Sequence, residues 1–318
     1  MVQTERFEAG VYPFIGDNER AFFAENGFLI VKDALPPSEV EVLREDATQV
    51  CRGDYGPVRG LLPSEPELSS DDVLKRYLCI HFPHKLSSIM RDYMAHPVIV
   101  DVLTRVIGPN VKAMQSMLFI KAAGKPGQAW HQDEIYIPTR DRSLTGAWIA
   151  MDDATVENGC LWVIPGSHKH GILWPQHHHE DRRFDCTDET GGFPYSDNDA
   201  IPVEVKAGSI VFFNGYLLHR SLPNNAKTGY RRVLVNHYMS AESLLFWHTP
   251  REGERMATAD VRDIIMIAGR DPYAYKGIED LAQAHVRSDG SGGCGDPRQN
   301  VKIESRETSA LPYDDDEE

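Results

Sequence analysis

The chain has 318 residues, of which 41% are hydrophobic, so it can form one large domain or two ordinary domains with a sizeable core. Its formal net charge of -15 and pI of about 5.3 argue against nucleic acid or an anionic membrane as the main partner, because both require clustered Lys and Arg. No run approaches the roughly 18 apolar residues that span a bilayer, and the first residues lack the pattern of a signal peptide.

The first third of the chain is predicted to be largely helical. Residues 17–26 predict a short helix, and Gly27 stands where a C-terminal cap belongs, before the apolar strand FLIV. A second helix is predicted around Ser38, because Ser38 and Glu41 have the spacing of a capping box. Residues 86–107 have helical spacing of apolar side chains, and this region ends at the sequence GPN.

The middle of the chain changes to short apolar or alternating segments that predict β-strands. Gly, Pro and Asn separate these segments, and the sequence ENG before CLWVI indicates a tight turn. The segments are MLFIKAA, AWHQDEIYI, GAWIAM, CLWVI, IPVEV, SIVFF and RRVLVNHYM. Many short strands separated in this way predict a sandwich or a closed barrel.

The last part of the chain is predicted to contain one helix and a tail. The helix is expected at about 257–268, with Gly269 at its end. From about residue 285 the composition becomes polar and rich in glycine, and the chain ends in DDDEE. We therefore expect a single domain over residues 1–285, with its β core at about 110–242, and a flexible tail over residues 286–318.

The five cysteines do not suggest a disulfide framework. They are odd in number, widely spaced and without a C-x-x-C pair, which also argues against a thiolate zinc site. Reduced thiols are the simplest interpretation, and we expect a cytoplasmic location. The cysteines are Cys51, Cys79, Cys160, Cys186 and Cys294.

The segment AWHQDEIYI contains a histidine and an aspartate one residue apart. Side chains alternate along a strand, so His131 and Asp133 are predicted to share one face. An imidazole and a carboxylate side by side supply two of the three ligands of a mononuclear metal site. A chance H-x-D pair on a surface strand is the alternative interpretation.

His219 supplies the ligand type that this pair lacks. It lies 88 positions after His131, at the end of the apolar stretch SIVFFNGYLL. A buried histidine held only by hydrogen bonds is the alternative. Two histidines and one carboxylate occupy one face of an octahedral metal and leave three positions open, which is the arrangement of Fe(II) oxygenases.

Two adjacent arginines, Arg231 and Arg232, open the strand that follows His219. An arginine inside a barrel needs an anionic partner, because an unpaired buried charge is costly, and Arg binds carboxylates with two parallel hydrogen bonds. This predicts a small carboxylate-bearing molecule beside the metal, although both arginines could instead pair with surface acids. Adjacent strand residues point to opposite sides, and apolar periodicity alone does not decide which arginine faces inward.

Together these segments resemble the phytanoyl-CoA dioxygenase family of Fe(II)/2-oxoglutarate oxygenases. The resemblance extends from FFAENGFLIVKDAL to about residue 242. It rests on QSMLFIK, WHQD, AWIAMDDATVENGCLWVIPGSH, AGSIVFFNGYLLHRSLPN and GYRRVLVNHY. It implies a mainly β fold with flanking helices, a double-stranded β-helix (a jelly roll, or cupin-like fold) with an N-terminal helical layer.

The resemblance also implies a cofactor set and a ligand set. His131, Asp133 and His219 match the iron ligands, and Arg231 matches the arginine that holds the far carboxylate of 2-oxoglutarate. Fe(II), 2-oxoglutarate and O2 are the implied cofactor and co-substrates. The spacing of twelve between His219 and Arg231 is one residue longer than the family pattern, and an insertion in the loop PNNAKT accounts for it.

Further residues follow from the same resemblance. Met117, Trp148 and Ser221 match positions that line the 2-oxoglutarate pocket, although Trp148 could also be a plain core residue. The implied reaction is hydroxylation of an unactivated C–H bond of a small molecule, with release of succinate and CO2. The carboxylate of Asp133 favours hydroxylation, because related halogenases lack it. The alternative is a metal-binding or sensory jelly roll without turnover.

Two loop features complete the expectations. The histidines His177–His179 are predicted to belong to a solvated loop, because no partner ligands have the spacing of a second metal site. The long polar segment at about 169–200 is predicted to form part of the substrate entrance. The only dense basic run contains Arg182 and Arg183 among acidic neighbours, which argues against a CoA ester as substrate.

Overall fold

A computed structural model describes most of the chain. Residues 288–318, which make up nearly all of the predicted tail and include Cys294, lie outside the described residues, and so does Cys186. The three cysteines that are described, Cys51, Cys79 and Cys160, are free and buried. The described residues are 7, 12–63, 66–185, 187–247, 253 and 255–287.

Among the described residues, five α-helices lie in the first third of the chain, which the sequence predicted to be largely helical. The first ends at Gly27, whose φ of 79° is the left-handed conformation that glycine adopts most readily. None of the helices in the described ranges has the length and apolar character of a membrane span. The helices are α1 (Asp17–Asn26), α2 (Pro37–Arg52), α3 (Ser70–Lys75), α4 (Ser88–Tyr93) and α5 (Pro97–Val106).

Two details of the helical prediction are wrong. The capping box at Ser38 does not form, because the N-cap of α2 is Pro36, two residues before Ser38, and no side chain caps the helix. Residues 86–107 form two helices rather than one. Pro97 opens α5, and a proline disfavours the helical conformation in the residue before it.

The β-strands match the predicted apolar segments of the middle of the chain. Six strands of the described structure lie outside the predicted segments: β2, β7, β8, β11, β13 and β14. The strands are β1 (Phe28–Val31), β2 (Cys79–His81), β3 (Val111–Ala122), β4 (Gln128–His131), β5 (Thr145–Ala150), β6 (Leu161–Val163), β7 (Gln176–His178), β8 (Asp188–Thr190), β9 (Ile201–Val203), β10 (Ile210–Asn214), β11 (His219–Ser221), β12 (Tyr230–Ser240), β13 (Ile265–Ala268) and β14 (His285–Val286).

The strands form a jelly roll of two antiparallel sheets. The large sheet has the order β1-β10-β5-β12-β3-β2-β14, with β13 paired to β3, and the small sheet has the order β4-β11-β6-β9. Strands β7 and β8 pair only with each other. One face of the large sheet packs on the helices through residues such as Ile149 and Leu234, and the other face packs inside the roll through Trp148 and Val235.

The predicted helix at 257–268 is wrong. The structure has a 3-10 helix at Met256–Thr258 and then strand β13, in which Ile265 pairs with Ala113 of β3. A short apolar run does not distinguish a helix from a strand. Here β13 provides hydrogen-bond partners for the edge of β3 beyond the end of β2, so the tertiary context selects the strand.

A close approach of β4 and β11 brings the two predicted histidine ligands together. A side chain at Gly127 would meet the backbone oxygen of Ser221 at 2.0 Å, so only glycine allows the chains to come this near. The register then places His131 directly opposite His219. Strand β4 ends at His131, and Asp133 begins a 3-10 helix. The prediction that the strand continues through Asp133 is therefore wrong.

Candidate active site

His131, Asp133 and His219 converge inside the roll and are all buried. The Asp133 Oδ1 atom lies 3.7 Å from His131 Nε2 and 3.6 Å from His219 Nε2, and the two imidazole centroids are 4.1 Å apart. In the described part of the chain, this is the only group of three or more His, Cys, Asp or Glu side chains close enough to share a metal ion.

Backbone contacts orient both imidazoles towards one point. His131 Nδ1 is 2.7 Å from the Ala129 carbonyl oxygen, and His219 Nδ1 is 3.0 Å from the Leu217 carbonyl oxygen. When each Nδ1–H donates to its carbonyl, each Nε2 presents a lone pair to the shared space. Burial and the neighbouring His219 lower the pKa of His131 to about 4, which favours the neutral ring that a metal requires.

The second carboxylate oxygen of Asp133 is held by a histidine that the sequence analysis missed. His237 Nε2 lies 2.9 Å from Asp133 Oδ2, and His237 is buried on β12. Burial alone would raise the pKa of Asp133, but His219 and His237 outweigh that effect and lower it. Asp133 therefore presents Oδ1 to the two histidine ligands while Oδ2 is occupied.

Gln132, between the two ligands, points away from them and anchors a neighbouring loop. Its amide nitrogen donates to the carbonyl oxygens of Ile172 (3.0 Å) and Tyr216 (2.7 Å), and its amide oxygen accepts from the backbone N–H of Trp174 (2.9 Å). These bonds fix the turn in which His131 and Asp133 lie.

One cavity, partly open to solvent, contains this cluster. All seven predicted site residues line it, so the structure brings these seven positions together. They are His131, Asp133, His219, Arg231, Met117, Trp148 and Ser221.

Arg231 points into the cavity and Arg232 points out of it. Arg231 is buried, its guanidinium lies 5.4 Å from the Trp148 ring centroid, and its Nε has no hydrogen-bond partner in the described structure. Burial lowers the pKa of Arg231 to about 10, so it remains a cation at neutral pH. Arg232 binds Asp152 with two hydrogen bonds of 2.8 and 2.7 Å.

Lys121 is a second buried basic side chain, behind the lining residue Ser221, and the sequence analysis did not identify it. It pairs with Arg231 in the β3–β12 register and donates to the Ser221 hydroxyl at 2.9 Å. Burial and the proximity of Arg231 lower its pKa well below the usual value. Since Ser221 Oγ also accepts from the backbone N–H of Gln128 (3.3 Å), its own proton is left to donate to a ligand.

The predicted entrance segment does not line the cavity. None of the described residues in 169–200 is in the lining, whereas Phe82, Tyr136, Ile137 and Trp247 are. The segment contacts one lining residue, because the Gln176 amide nitrogen donates to the Tyr136 hydroxyl at 2.6 Å. The histidines at 177 and 178 are exposed on the β7–β8 hairpin, which replaces the predicted loop there.

The fold and the donor set define an oxygenase that depends on Fe(II) and 2-oxoglutarate. Solved structures share the fold: the non-heme monooxygenase ThoJ (TM-score 0.60, 22% identity, covering 79% of this chain and 84% of that chain) and EctD from S. alaskensis with bound Fe (TM-score 0.56, 20% identity, covering 75% of this chain and 81% of that chain). A third is EvdO2 from Micromonospora carbonacea var. aurantiaca complexed with 2-oxoglutarate (TM-score 0.55, 23% identity, covering 77% of this chain and 98% of that chain).

The chain belongs to the phytanoyl-CoA dioxygenase family, whose model matches residues 23–233. The human peroxisomal phytanoyl-CoA dioxygenase is 30% identical over 235 residues, which cover 70% of this chain and 68% of that protein. Phytanoyl-CoA dioxygenase 1 of Oryza sativa subsp. japonica is 28% identical over 256 residues, which cover 71% of this chain and 89% of that protein.

Proposed function

We propose that this protein hydroxylates an unactivated C–H bond of a small-molecule metabolite, with 2-oxoglutarate converted to succinate and CO2. The observation that carries the proposal is the shared cavity, in which a His/Asp/His cluster lies beside a buried arginine whose Nε has no hydrogen-bond partner among the described residues. A monocarboxylate–dihistidine site leaves three metal positions open, enough for a chelating oxo acid and O2.

Each residue of the site would have a distinct role in the reaction. His131, Asp133 and His219 would hold Fe(II), which supplies the oxidative chemistry together with 2-oxoglutarate and O2. Arg231 would bind the far carboxylate of 2-oxoglutarate, because its buried charge otherwise lacks a partner. Ser221 would donate its hydroxyl proton to the same carboxylate.

Two further groups would shape the co-substrate site. Met117 and Trp148 would enclose the carbon chain of 2-oxoglutarate and exclude water from it, since both are buried and line the cavity. His237 would keep Asp133 bound through Oδ1 alone, which preserves the open positions.

The outcome of the reaction is tested with the iron-loaded enzyme, 2-oxoglutarate, 18O2 and a metabolite panel. Hydroxylation predicts succinate release coupled to a product that retains one oxygen atom from O2. Two fold neighbours are described as a carbocyclase and an epimerase from nogalamycin biosynthesis, so other outcomes are chemically accessible on this fold. A coupled product without added oxygen would contradict the hydroxylase proposal.

The alternative is a metal-binding or sensory protein without turnover. The complete ligand set and the unpaired Arg231 favour the enzyme, because a sensor of metal alone has no use for a buried carboxylate anchor. We propose a cytoplasmic location on the basis of the buried free thiols, while the human relative is named as peroxisomal.

A further inference from the structure

The amine of Lys121 is enclosed by three oxygen atoms behind the proposed co-substrate site. The side chain is 2% exposed, and its Nζ lies 2.7 Å from the Leu222 carbonyl oxygen, 2.9 Å from Ser221 Oγ and 3.3 Å from the Gly159 carbonyl oxygen. Two of these three partners are backbone carbonyls, which can only accept a hydrogen bond. A Cβ at Gly159 would meet Nζ at 3.0 Å, so the glycine leaves room for the amine.

The charge state of Lys121 determines where the Ser221 hydroxyl can point. A charged ammonium has three N–H groups, so it can donate to both carbonyls and to Ser221 Oγ. A neutral amine has two N–H groups, which the carbonyls use, and its lone pair then accepts the hydroxyl proton of Ser221. The Gln128 backbone N–H donates to Ser221 Oγ in either state. Only the charged state therefore leaves the serine proton free for a ligand in the cavity that Ser221 lines.

The groups around Lys121 place a second positive charge close to it. Arg231 occupies the paired position on β12, and both side chains are buried. The other titratable groups that face Lys121 in the described structure are the thiol of Cys160 and the carboxylate of Asp185, which pairs with Arg287. Burial raises the pKa of Cys160 to about 11, so that thiol is uncharged at neutral pH. A carboxylate bound to Arg231 adds a negative charge to this fixed set, and it favours the charged form of Lys121.

We infer that Lys121 takes up a proton when 2-oxoglutarate binds and thereby turns the Ser221 hydroxyl towards the co-substrate carboxylate. The proton comes from the solvent, and the serine O–H, which had donated to the Nζ lone pair, rotates to donate to the carboxylate. Burial and Arg231 disfavour the charge on Lys121 in the free protein, and the bound carboxylate opposes both effects. Lys121 does not line the cavity, so it is a positioning residue. This inference rests on the proposed function and adds regulation by pH at the same site.

The Kd of 2-oxoglutarate should therefore rise with pH. Above the pKa of Lys121 in the free protein, the Kd rises by up to tenfold for each unit of pH, until the pKa of Lys121 in the complex is reached. The carboxylates of 2-oxoglutarate contribute nothing to this slope, because carboxyl groups titrate near pH 4. We expect the Kd of the wild type to rise at least about threefold between pH 6.5 and pH 9.

Isothermal titration calorimetry of 2-oxoglutarate into the full chain loaded with Zn²⁺ measures the proton directly. At each pH the binding enthalpy is measured in two buffers with different ionisation enthalpies, and the difference gives the number of protons taken up. The wild type should take up more protons than Lys121→Met, by at least about 0.3 per 2-oxoglutarate at one pH between 6.5 and 9. Protons exchanged at the metal or at other side chains are common to both proteins and cancel in this difference.

Two further variants separate this role from a structural one. Lys112→Met is the matched control, because Lys112 is a second buried lysine on β3 that donates to a backbone carbonyl and lies outside the cavity lining. It should take up as many protons as the wild type. Lys121→Arg is charged at every pH of the series, so its proton uptake should match that of Lys121→Met, and it replaces Lys121→Met if that variant does not fold. Equal uptake in the wild type and in the Lys121 variants would overturn the inference.

A double-mutant cycle tests whether Lys121 acts through the serine. At pH 6.5, Lys121→Met should weaken 2-oxoglutarate binding about tenfold in the wild type and less than about threefold in Ser221→Ala. An equal loss in both backgrounds would overturn the positioning role. Failure of the proposed function looks different, because the wild type would then not bind 2-oxoglutarate at any pH. Binding without a difference in proton uptake would leave the co-substrate site in place and remove only the coupling to Lys121.

Discussion

At the scale of residues, two neighbouring arginines have opposite surroundings. Arg231 lies in the cavity, where its Nε has no hydrogen-bond partner among the described residues, and Arg232 is held by Asp152. Arg231→Ala would remove the two charge-assisted hydrogen bonds proposed to the far carboxylate of 2-oxoglutarate, each worth roughly 1.5–3 kcal/mol. The Kd of 2-oxoglutarate should therefore rise on the order of a hundredfold or more. Arg232→Ala should change it less than about threefold. Calorimetry on the Zn²⁺-loaded proteins measures both, and reversed phenotypes would show that the anchor is assigned wrongly.

His237 gives a second prediction at this scale. Its bond to Asp133 Oδ2 orients a metal ligand, and loss of such a contact typically costs ten- to a hundredfold in metal affinity. We expect that loss in His237→Phe and recovery of most of it in His237→Gln, whose amide can donate the same bond. Titration of the metal-free proteins with Co²⁺, followed by absorbance, measures the affinity. An unchanged Kd in His237→Phe would mean that Asp133 needs no such support.

The sequence identified only part of the site, for a physical reason. His131 and Asp133 were recognisable because they break an apolar pattern one residue apart, and His219 because it ends an apolar run. Strand alternation puts His237 on the same face as Arg231, but no spacing in the sequence assigns His237 or Lys121 a contact in the site. Their roles arise from the register of β3 and β12 and from the turn at Asp133, which only the folded chain defines.

At the scale of elements, β3 is joined to the segment after β12 by a buried lysine. Lys112 donates to the Ser243 carbonyl oxygen, and burial lowers its pKa from 10.5 to about 8. The unfolded chain therefore holds this proton up to a higher pH than the folded protein. Stability should accordingly rise with pH between about 8 and 10.5, by at most about 3 kcal/mol.

Urea unfolding at pH 7.5 and pH 10.5 tests this coupling. Lys112→Met has no titrating group at this position, so it should lack the rise that the wild type shows. Other groups that titrate in this range are common to both proteins and cancel in the difference. Parallel pH profiles for the two proteins would show that Lys112 is not desolvated in the folded state.

The elements that were predicted wrongly share one cause. The apolar run around Ile265 fits a helix as well as a strand, and the free edge of β3 determines which one forms. The segment AWHQDEIYI likewise reads as a strand throughout, yet it turns after His131. In both cases local preference is overruled by partners that are distant in the sequence.

At the scale of the whole molecule, the site joins the two sheets. His131 and His219 come from the small sheet and Arg231 from the large sheet, so a metal and 2-oxoglutarate together would connect them. Each ligand at a hundred times its Kd stabilises the folded state by about 2.7 kcal/mol. Zn²⁺ and 2-oxoglutarate should thus raise the Tm by on the order of 5 °C.

Differential scanning calorimetry with and without a chelator measures this stabilisation. Chelation should remove all of it, whereas Arg231→Ala should keep the share due to the metal and lose the share due to 2-oxoglutarate. A Tm that does not respond to either ligand would contradict a site shared by the two sheets. The jelly roll itself was implied by resemblance, because the strand-rich middle alone fits several β architectures.

The most direct test of the account is the release of CO2 from 2-oxoglutarate labelled at C1, in the presence of Fe(II) and O2. The account predicts one CO2 and one succinate for each 2-oxoglutarate consumed, with turnover abolished by EDTA and in His131→Ala and His219→Ala. The two variants should remain folded, since both side chains serve the site. No Fe(II)-dependent CO2 release, with or without the metabolite panel, or equal release in both histidine variants, would contradict the assignment of the site.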